Sequence, residues 1–298
     1  MKIAVIGLGN IAQKAYLPAI TSMEGIELIL CSRNTEKLQQ VANKYRIKEF
    51  VNSVDELIKL DIDAAFVHTA TSSHVEIAEK LLLNGINVYI DKPLSDDYVS
   101  ARRIGEAASK SGKLLMTGFN RRFAPMYKKL KENGKPDIIT MQKNRRHDPK
   151  QARELIYDDF IHVVDTLRFL MDCHVTNMEV SKELRDGKLY NIVLKLSGAN
   201  CTAIGIMNRD SGMGEETVEY MTEDKKIIVK DMVNTISYIN NVEYVEKYND
   251  WDNTLYKRGF QPIIEHFINC VKNNSKPDQT IEDSLITHQL CEKIVTSI

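Results

Sequence analysis

The sequence has no closely spaced cysteine pair. Cys31, Cys173, Cys201, Cys270 and Cys291 are odd in number and scattered, which argues against a disulfide framework or a zinc knuckle and for reduced, mostly buried thiols. Neither charge is in excess: 40 Lys and Arg stand against 41 Asp and Glu, so the net charge of -1 favours neither nucleic acid nor an acidic membrane surface as a partner. The seven histidines show no paired metal-ligand spacing, and no metal site is expected. The first apolar run, Ile3 to Ile6, ends at Gly7, too short for a signal-peptide core or a span of about 20 apolar residues, so a cytoplasmic location is expected. No internal repeat or low-complexity linker is visible. What is present, 43% hydrophobic and 27% charged residues, suits a globular protein with a sizeable core and, by default, a small-molecule ligand.

A length of 298 residues fits two domains of about 100 to 200 residues each. Short apolar runs at 3–6, 27–31, 49–51, 64–68, 87–90 and 114–117 read as strands, with helices after the first glycine turn and over 35–45, 54–59, 73–84 and 97–109. This alternation predicts a doubly wound parallel sheet covered on both faces, in a first domain over 1–119. After Gly118 the rhythm changes. Helices are expected over 125–132, 158–170, 263–272 and 281–295, with strands near 138–143, 190–196, 202–207, 217–221 and 226–229. Residues 120–298 are therefore read as an α+β domain on a mostly antiparallel sheet.

The segment Gly7-Leu8-Gly9-Asn10-Ile11-Ala12 lies between the first strand and helix. In such a turn the first glycine bends the chain, the second lets backbone approach a pyrophosphate, and the small third residue permits close helix packing. A helix N-terminus adds N–H donors and a favourable dipole. The second strand ends in Ser32-Arg33, where an enzyme preferring NAD commonly carries an acid on the ribose 2'-hydroxyl. Ser32 can bond a 2'-phosphate and Arg33 can neutralise it, so NADP(H) is favoured and NAD(H) remains possible.

Together with that turn, Thr69-Ala70-Thr71-Ser72-Ser73-His74, Asp91-Lys92-Pro93 and Gly118-Phe119-Asn120-Arg121-Arg122-Phe123 resemble the Gfo/Idh/MocA family, the glucose-fructose oxidoreductase and inositol dehydrogenase group. The order and spacing match across nearly the whole chain. The resemblance implies that Thr69, Ala70, Thr71, His74, Asp91, Lys92 and Asn120 join Gly7, Gly9, Asn10, Ile11, Ala12, Ser32 and Arg33 around the cofactor. The family usually has Glu-Lys-Pro where this chain has Asp91-Lys92-Pro93, and Lys92 is then the residue beside the nicotinamide and the reacting carbon. A lysine in a partly desolvated site can polarise a carbonyl or hold an alcohol.

The second catalytic signal is Asp158-Asp159-Phe160-Ile161-His162-Val163-Val164-Asp165. Asp158, His162 and Asp165 fall at i, i+4 and i+7 on one helix face, with Phe160, Val163, Val164 and Leu167 mainly on the other. The family's Asp-x-x-x-His carries over to Asp158 and His162. Histidine titrates near neutrality, as a donor or acceptor of a carbinol proton must, and Asp158 would orient it. Asp165 can instead be structural, pairing with Arg168 at i+3. The family's glycine between acid and histidine is the bulky Phe160 here, so the substrate side departs from the common sugar-dehydrogenase pattern.

Arg145, Arg146, His147, Lys150 and Arg153 could bind an anionic substrate, or form a solvated loop. The Tyr127-x-x-x-Lys131 spacing of short-chain dehydrogenases is common enough by chance to carry no weight. The expected function is hydride transfer between NADP(H) or NAD(H) and a carbinol or carbonyl carbon of a sugar, polyol or related compound, by a homodimer or homotetramer. The alternative is a nucleotide-binding regulator or sensor that keeps the fold without turnover.

Overall fold

Six short strands, apolar along most of their length, cannot each bury both faces unless helices cover the sheet they form. A computed structural model, describing residues 1–298, shows that arrangement. Strands β1 (Lys2–Ile6), β2 (Glu27–Cys31), β3 (Glu49–Val51), β4 (Ala64–Val67), β5 (Asn87–Ile90) and β6 (Leu115–Thr117) pair in parallel in the order β3-β2-β1-β4-β5-β6. Ala4 of β1 lies opposite Ile29 on one side and Ala65 on the other. The intervening helices are α1 (Leu17–Ile20), α2 (Thr35–Tyr45), α3 (Val54–Leu57), α4 (His74–Leu83) and α5 (Tyr98–Ser111). Their starts follow capping rules: Asn34 accepts from the Lys37 N–H before α2, and Asp97 from the Ser100 N–H before α5.

The chain divides into two compact units, the first comprising 1–118 and 260–288. The sequence reading placed all of 120–298 in the second domain; the return of Phe260–His288 to the first unit departs from that. The reason is apolar burial. Helix α10 (Phe260–Asn273) lays Phe267 against Phe66 of β4 and Tyr89 of β5, with ring centroids 5.1 and 5.4 Å apart, so it closes a sheet face that local sequence cannot cover.

The second unit comprises 119–259 and 289–298, the division falling within helix α11 (Ile281–Thr296). Its nine strands are β7 (Ile138–Asn144), β8 (Lys150–Gln151), β9 (Asn177–Arg185), β10 (Lys188–Ser197), β11 (Thr202–Asn208), β12 (Glu215–Met221), β13 (Lys225–Lys230), β14 (Asn234–Ile239) and β15 (Val242–Lys247). They run in the order β15-β14-β13-β12-β7-β11-β10-β8, with β9 also on β10, and only β7 and β11 pair in parallel. Strands β9, β14 and β15 were not identified from periodicity, because they carry little buried apolar surface; β15 is exposed at every residue. Smaller helices in this unit are α6 (Pro125–Leu130), α7 (Ala152–Leu155) and α9 (Thr254–Lys257), and α8 (Ile161–Met171) packs on β7 and β11.

The helix expected over 158–170 differs in two ways. A π-helical turn, Ile156–Phe160, precedes α8 and breaks the uniform i, i+4, i+7 spacing. Helix α8 is also buried nearly all round, so Asp165 does not join a polar stripe. Asp165 binds the Arg122 guanidinium through two bonds of 2.8 and 2.7 Å. Both partners are buried. Cutting Asp165 back to alanine leaves that cation without its carboxylate, and we expect a loss of about 3–5 kcal/mol, read as a lowered urea midpoint; no change would show that the pair is dispensable.

Candidate functional site

In the first unit the glycine turn sits against the end of β4. Gly7 has φ +86°, and a Cβ there would lie 2.8 Å from the carbonyl carbon and oxygen of His68 and from the Thr69 nitrogen, so only glycine lets the turn lie this close. The helix that follows is not plain α: Ala12–Tyr16 form a π turn before α1. Its small residues Ala12 and Ala15 are buried, as the third position of a dinucleotide turn requires. The first-turn N–H groups of any helix lack intrahelical acceptors and suit an anion. Turn, close approach and small residue together fit a dinucleotide.

The residues expected around the cofactor divide by what their side chains already do. Asn10 is exposed and Gly9 and Ile11 are half-buried at the mouth of the turn, and Arg33 is exposed at the end of β2. Ser32 is half-buried, and its Oγ accepts from the Asn34 N–H at 3.3 Å. Ala70 is exposed, and Thr71 opens a 3-10 turn. Thr69 Oγ1 accepts from the Ser73 hydroxyl at 2.9 Å. His74 is buried, with Nδ1 2.9 Å from the Pro93 carbonyl and Nε2 3.1 Å from the Thr69 carbonyl, so both ring nitrogens are engaged inside the protein. Its ring ties the loop after β4 to the backbone after Lys92. Asn120 lies in the second unit, buried, donating to the Arg258 carbonyl at 2.8 Å.

Lys92 lies two residues beyond the end of β5, half-buried, in a cis Lys92–Pro93 peptide. Before it, Asp91 accepts from the Tyr16 hydroxyl at 3.0 Å, and Tyr16 lies 3.0 Å from the Tyr89 hydroxyl. Burial pushes the Asp91 carboxyl up, while the Lys92 charge and the Tyr16 bond pull it part of the way back. His68 stacks on Tyr16 with ring centroids 3.9 Å apart. Both His68 ring nitrogens are buried without a hydrogen-bond partner, and burial, with His74 adding to it, takes the imidazole down to about 3.

In the second unit His162 is buried on α8, and Asp158 is exposed in the π turn before it. The neighbouring Asp159 was not singled out from sequence, yet it anchors that turn. Its carboxylate meets Lys143 at 3.1 Å, Arg145 at 3.4 Å and Arg209 at 2.6 Å. Burial raises its carboxyl, but Lys143 and Arg145 outweigh burial and hold it below the usual range. Lys143 also reaches Glu216 at 3.2 Å, and Glu216 takes two bonds from Arg121, 2.8 and 2.7 Å, and one from the Tyr127 hydroxyl, 3.1 Å. Burial penalises the Glu216 charge, but Arg121 and Lys143 hold it well below the ordinary carboxylate range.

The basic stretch after β7 is largely neutralised within the unit. Arg145 pairs with Asp159, His147 with Asp210, Lys150 with Glu154 and Arg153 with Glu292. An anionic substrate would have to displace these carboxylates, which removes the charge argument for one. Arg121, Glu216 and Asp159 were missed from sequence because their partners are distant in the chain; the only local hint was the Asn120-Arg121-Arg122 run, whose two arginines each hold a buried acid.

Comparison with known proteins adds four findings. The model of an oxidoreductase family with an NAD-binding Rossmann fold (GFO_IDH_MocA) matches residues 1–119, and that of a YceM-like C-terminal domain matches 125–238. The chain is 31% identical over 301 residues to YceM of Salmonella typhimurium, itself only provisionally named an oxidoreductase, covering 99% of this chain and 97% of that protein. It is 23% identical over 313 residues to the scyllo-inositol 2-dehydrogenase (NAD(+)) of Bacillus subtilis, covering 96% and 90%. Among solved structures, a dehydrogenase (MviM) from Clostridium difficile superposes with a TM-score of 0.96 at 34% identity, covering 100% and 99%.

Two measurements test this geometry. Gly7→Ala forces a Cβ into backbone 2.8 Å away at a positive φ, and should weaken NADPH binding in a fluorescence titration at least tenfold; unchanged affinity would remove the turn from the cofactor site. An imidazole held near 3 when folded but 6.5 when unfolded takes up its proton on unfolding in that window, so stability falls as the pH drops from 6.5 towards 3. His68→Phe should flatten this part of the stability profile by up to about 1.4 kcal/mol per pH unit relative to the parent.

Proposed function

This chain belongs to the Gfo/Idh/MocA family of oxidoreductases, and from that premise we propose that it transfers a hydride reversibly between a nicotinamide cofactor and the carbinol or carbonyl carbon of a polyol, sugar or related small molecule. The observation that carries the reading is Lys92 at the end of a parallel-sheet strand, in the same unit as a glycine turn shaped for a dinucleotide. The polyol class is supported by relatives named as inositol dehydrogenases, in Bacillus subtilis and Thermotoga maritima.

Oxidation of an alcohol removes a hydride from carbon and a proton from oxygen. The bound nicotinamide supplies the hydride acceptor or donor at C4. We assign the proton to Lys92 and His162: the Lys92 ammonium donates to the reacting oxygen, the His162 imidazole exchanges a proton with it, and Asp158 orients His162. In the reductive direction the same groups return the proton to the new hydroxyl. Ser32 and Arg33 favour NADP(H) over NAD(H), by hydrogen bonding and charge toward a 2'-phosphate. We further propose a cytoplasmic homodimer or homotetramer; no helix is long and apolar enough to cross a membrane.

Turnover against a polyol and sugar panel, with NADP(H) and NAD(H) in parallel, tests the proposal. Lys92→Ala and His162→Ala should each lower kcat by about 10²- to 10⁴-fold while leaving NADPH affinity within a few fold. Tight NADPH binding without turnover on any substrate would favour the regulatory reading. Arg33→Ala should weaken NADPH binding while sparing NADH; equal loss of both would withdraw the NADP(H) preference.

A further inference from the structure

Tyr16 has no place in the chemistry assigned so far, yet it is fully buried at the centre of a polar cluster that includes Asp91, the residue before Lys92. The π turn Ala12–Tyr16 inserts extra backbone into the first helix, and such turns recur where a side chain must be re-aimed. Here the ring lies on His68, edge-on to Phe260 with centroids 5.6 Å apart, while its hydroxyl meets the Tyr89 hydroxyl and the Asp91 carboxylate, each at 3.0 Å.

Phenylalanine would fill the same space without burying a hydroxyl, and burying polar groups costs free energy unless they are bonded. The two tyrosine hydroxyls and the carboxylate satisfy one another in a chain, Tyr89 donating to Tyr16 and Tyr16 to Asp91. Burial, and then the charge of Asp91, push the Tyr16 hydroxyl well above its ordinary range, so it stays protonated and remains a donor. Gly118 at the end of β6 keeps room for the cluster: a Cβ there would lie 2.9 Å from the Tyr89 hydroxyl, 3.0 Å from that of Tyr16 and 3.1 Å from Asp91 Cα.

We propose that Tyr16 is a positioning residue for Lys92: its hydrogen bond holds the Asp91 carboxyl in place and favours its charged form, and that fixed group sets the position and charge environment of the adjoining lysine. Tyr89 holds Tyr16 in turn. The proposal rests on the assignment of Lys92 to the proton chemistry. The titratable groups facing Asp91 are Lys92 beside it, Tyr16 from the first helix, Tyr89 on β5 and His74 from α4. Of these, Tyr16 is the one that donates a hydrogen bond to the Asp91 carboxylate from a hydroxyl that can be removed while its ring contacts persist.

The test is Tyr16→Phe, with Tyr89→Phe as the milder variant. The carboxyl ¹³C resonance of Asp91, identified by its loss in Asp91→Asn, should titrate about one pH unit higher in Tyr16→Phe, as expected for losing a hydrogen bond to a charged group. The acidic limb of kcat/KM should move the same way, with kcat at neutral pH reduced about tenfold and NADPH affinity unchanged. Tyr89→Phe should shift both in the same direction by less. An unmoved Asp91 titration and pH profile, with only a lowered unfolding midpoint, overturns the proposal and leaves Tyr16 as core packing. A shifted Asp91 titration with no change in kcat or its pH profile overturns this proposal alone. Full turnover in Lys92→Ala overturns the Lys92 assignment and this proposal with it.

Discussion

The backbone of Gly7 lies so close to the carbonyl of His68 that a single methyl group would separate them, and much of the first unit depends on that approach. It pins the start of the first helix against the carboxyl end of β4. From that fixed start the π turn delivers Tyr16 to the ends of β4 and β5, where it meets His68, Tyr89 and Asp91. Lys92 is the next residue along the chain. A glycine turn and a lysine some eighty residues apart in sequence thus share one packed region, held by contacts that tolerate little change in volume.

The second unit solves a different problem, holding charged groups where water is scarce. Consecutive arginines in the turn after Gly118 diverge: Arg121 binds Glu216 on β12 and Arg122 binds Asp165 on α8. The turn thereby ties the sheet to the helix that carries His162. Asp159 does the same for the π turn before that helix, through Lys143, Arg145 and Arg209. Buried ion pairs of this kind add little net stability over apolar packing, but removing one partner is costly. Family membership agrees with this division of labour: the oxidoreductase model covers the dinucleotide half, and a separate domain model covers most of the sheet that supports His162.

Sequence reading was strongest where a residue's environment is set by its neighbours in the chain. The strands of the parallel sheet, the helices with Asn34 and Asp97 as caps, and the glycine turn all follow from local periodicity and turn chemistry. The polar helix face drawn through Asp158, His162 and Asp165 did not survive. Periodicity assumes an unbroken α-helix with one wet side, whereas a π turn interrupts this one and an arginine forty-three residues earlier claims Asp165. Strands β9, β14 and β15 escaped for a related reason: with one buried residue among them, they leave little alternation to detect.

By itself, the sequence determined the glycine turn, the alternation of the parallel sheet, the lysine after its fifth strand and the motif order that marks the family. Those features are written in residues close together in the chain. Only the tertiary structure decided which charges are spent on one another, that His74 is tied at both ring nitrogens, that Phe260–His288 folds back onto the first sheet, and that Tyr16 rests under Asp91. Most of these are pairings across a long stretch of chain, chosen by burial and hydrogen-bond satisfaction, and neither leaves a periodic trace in the sequence.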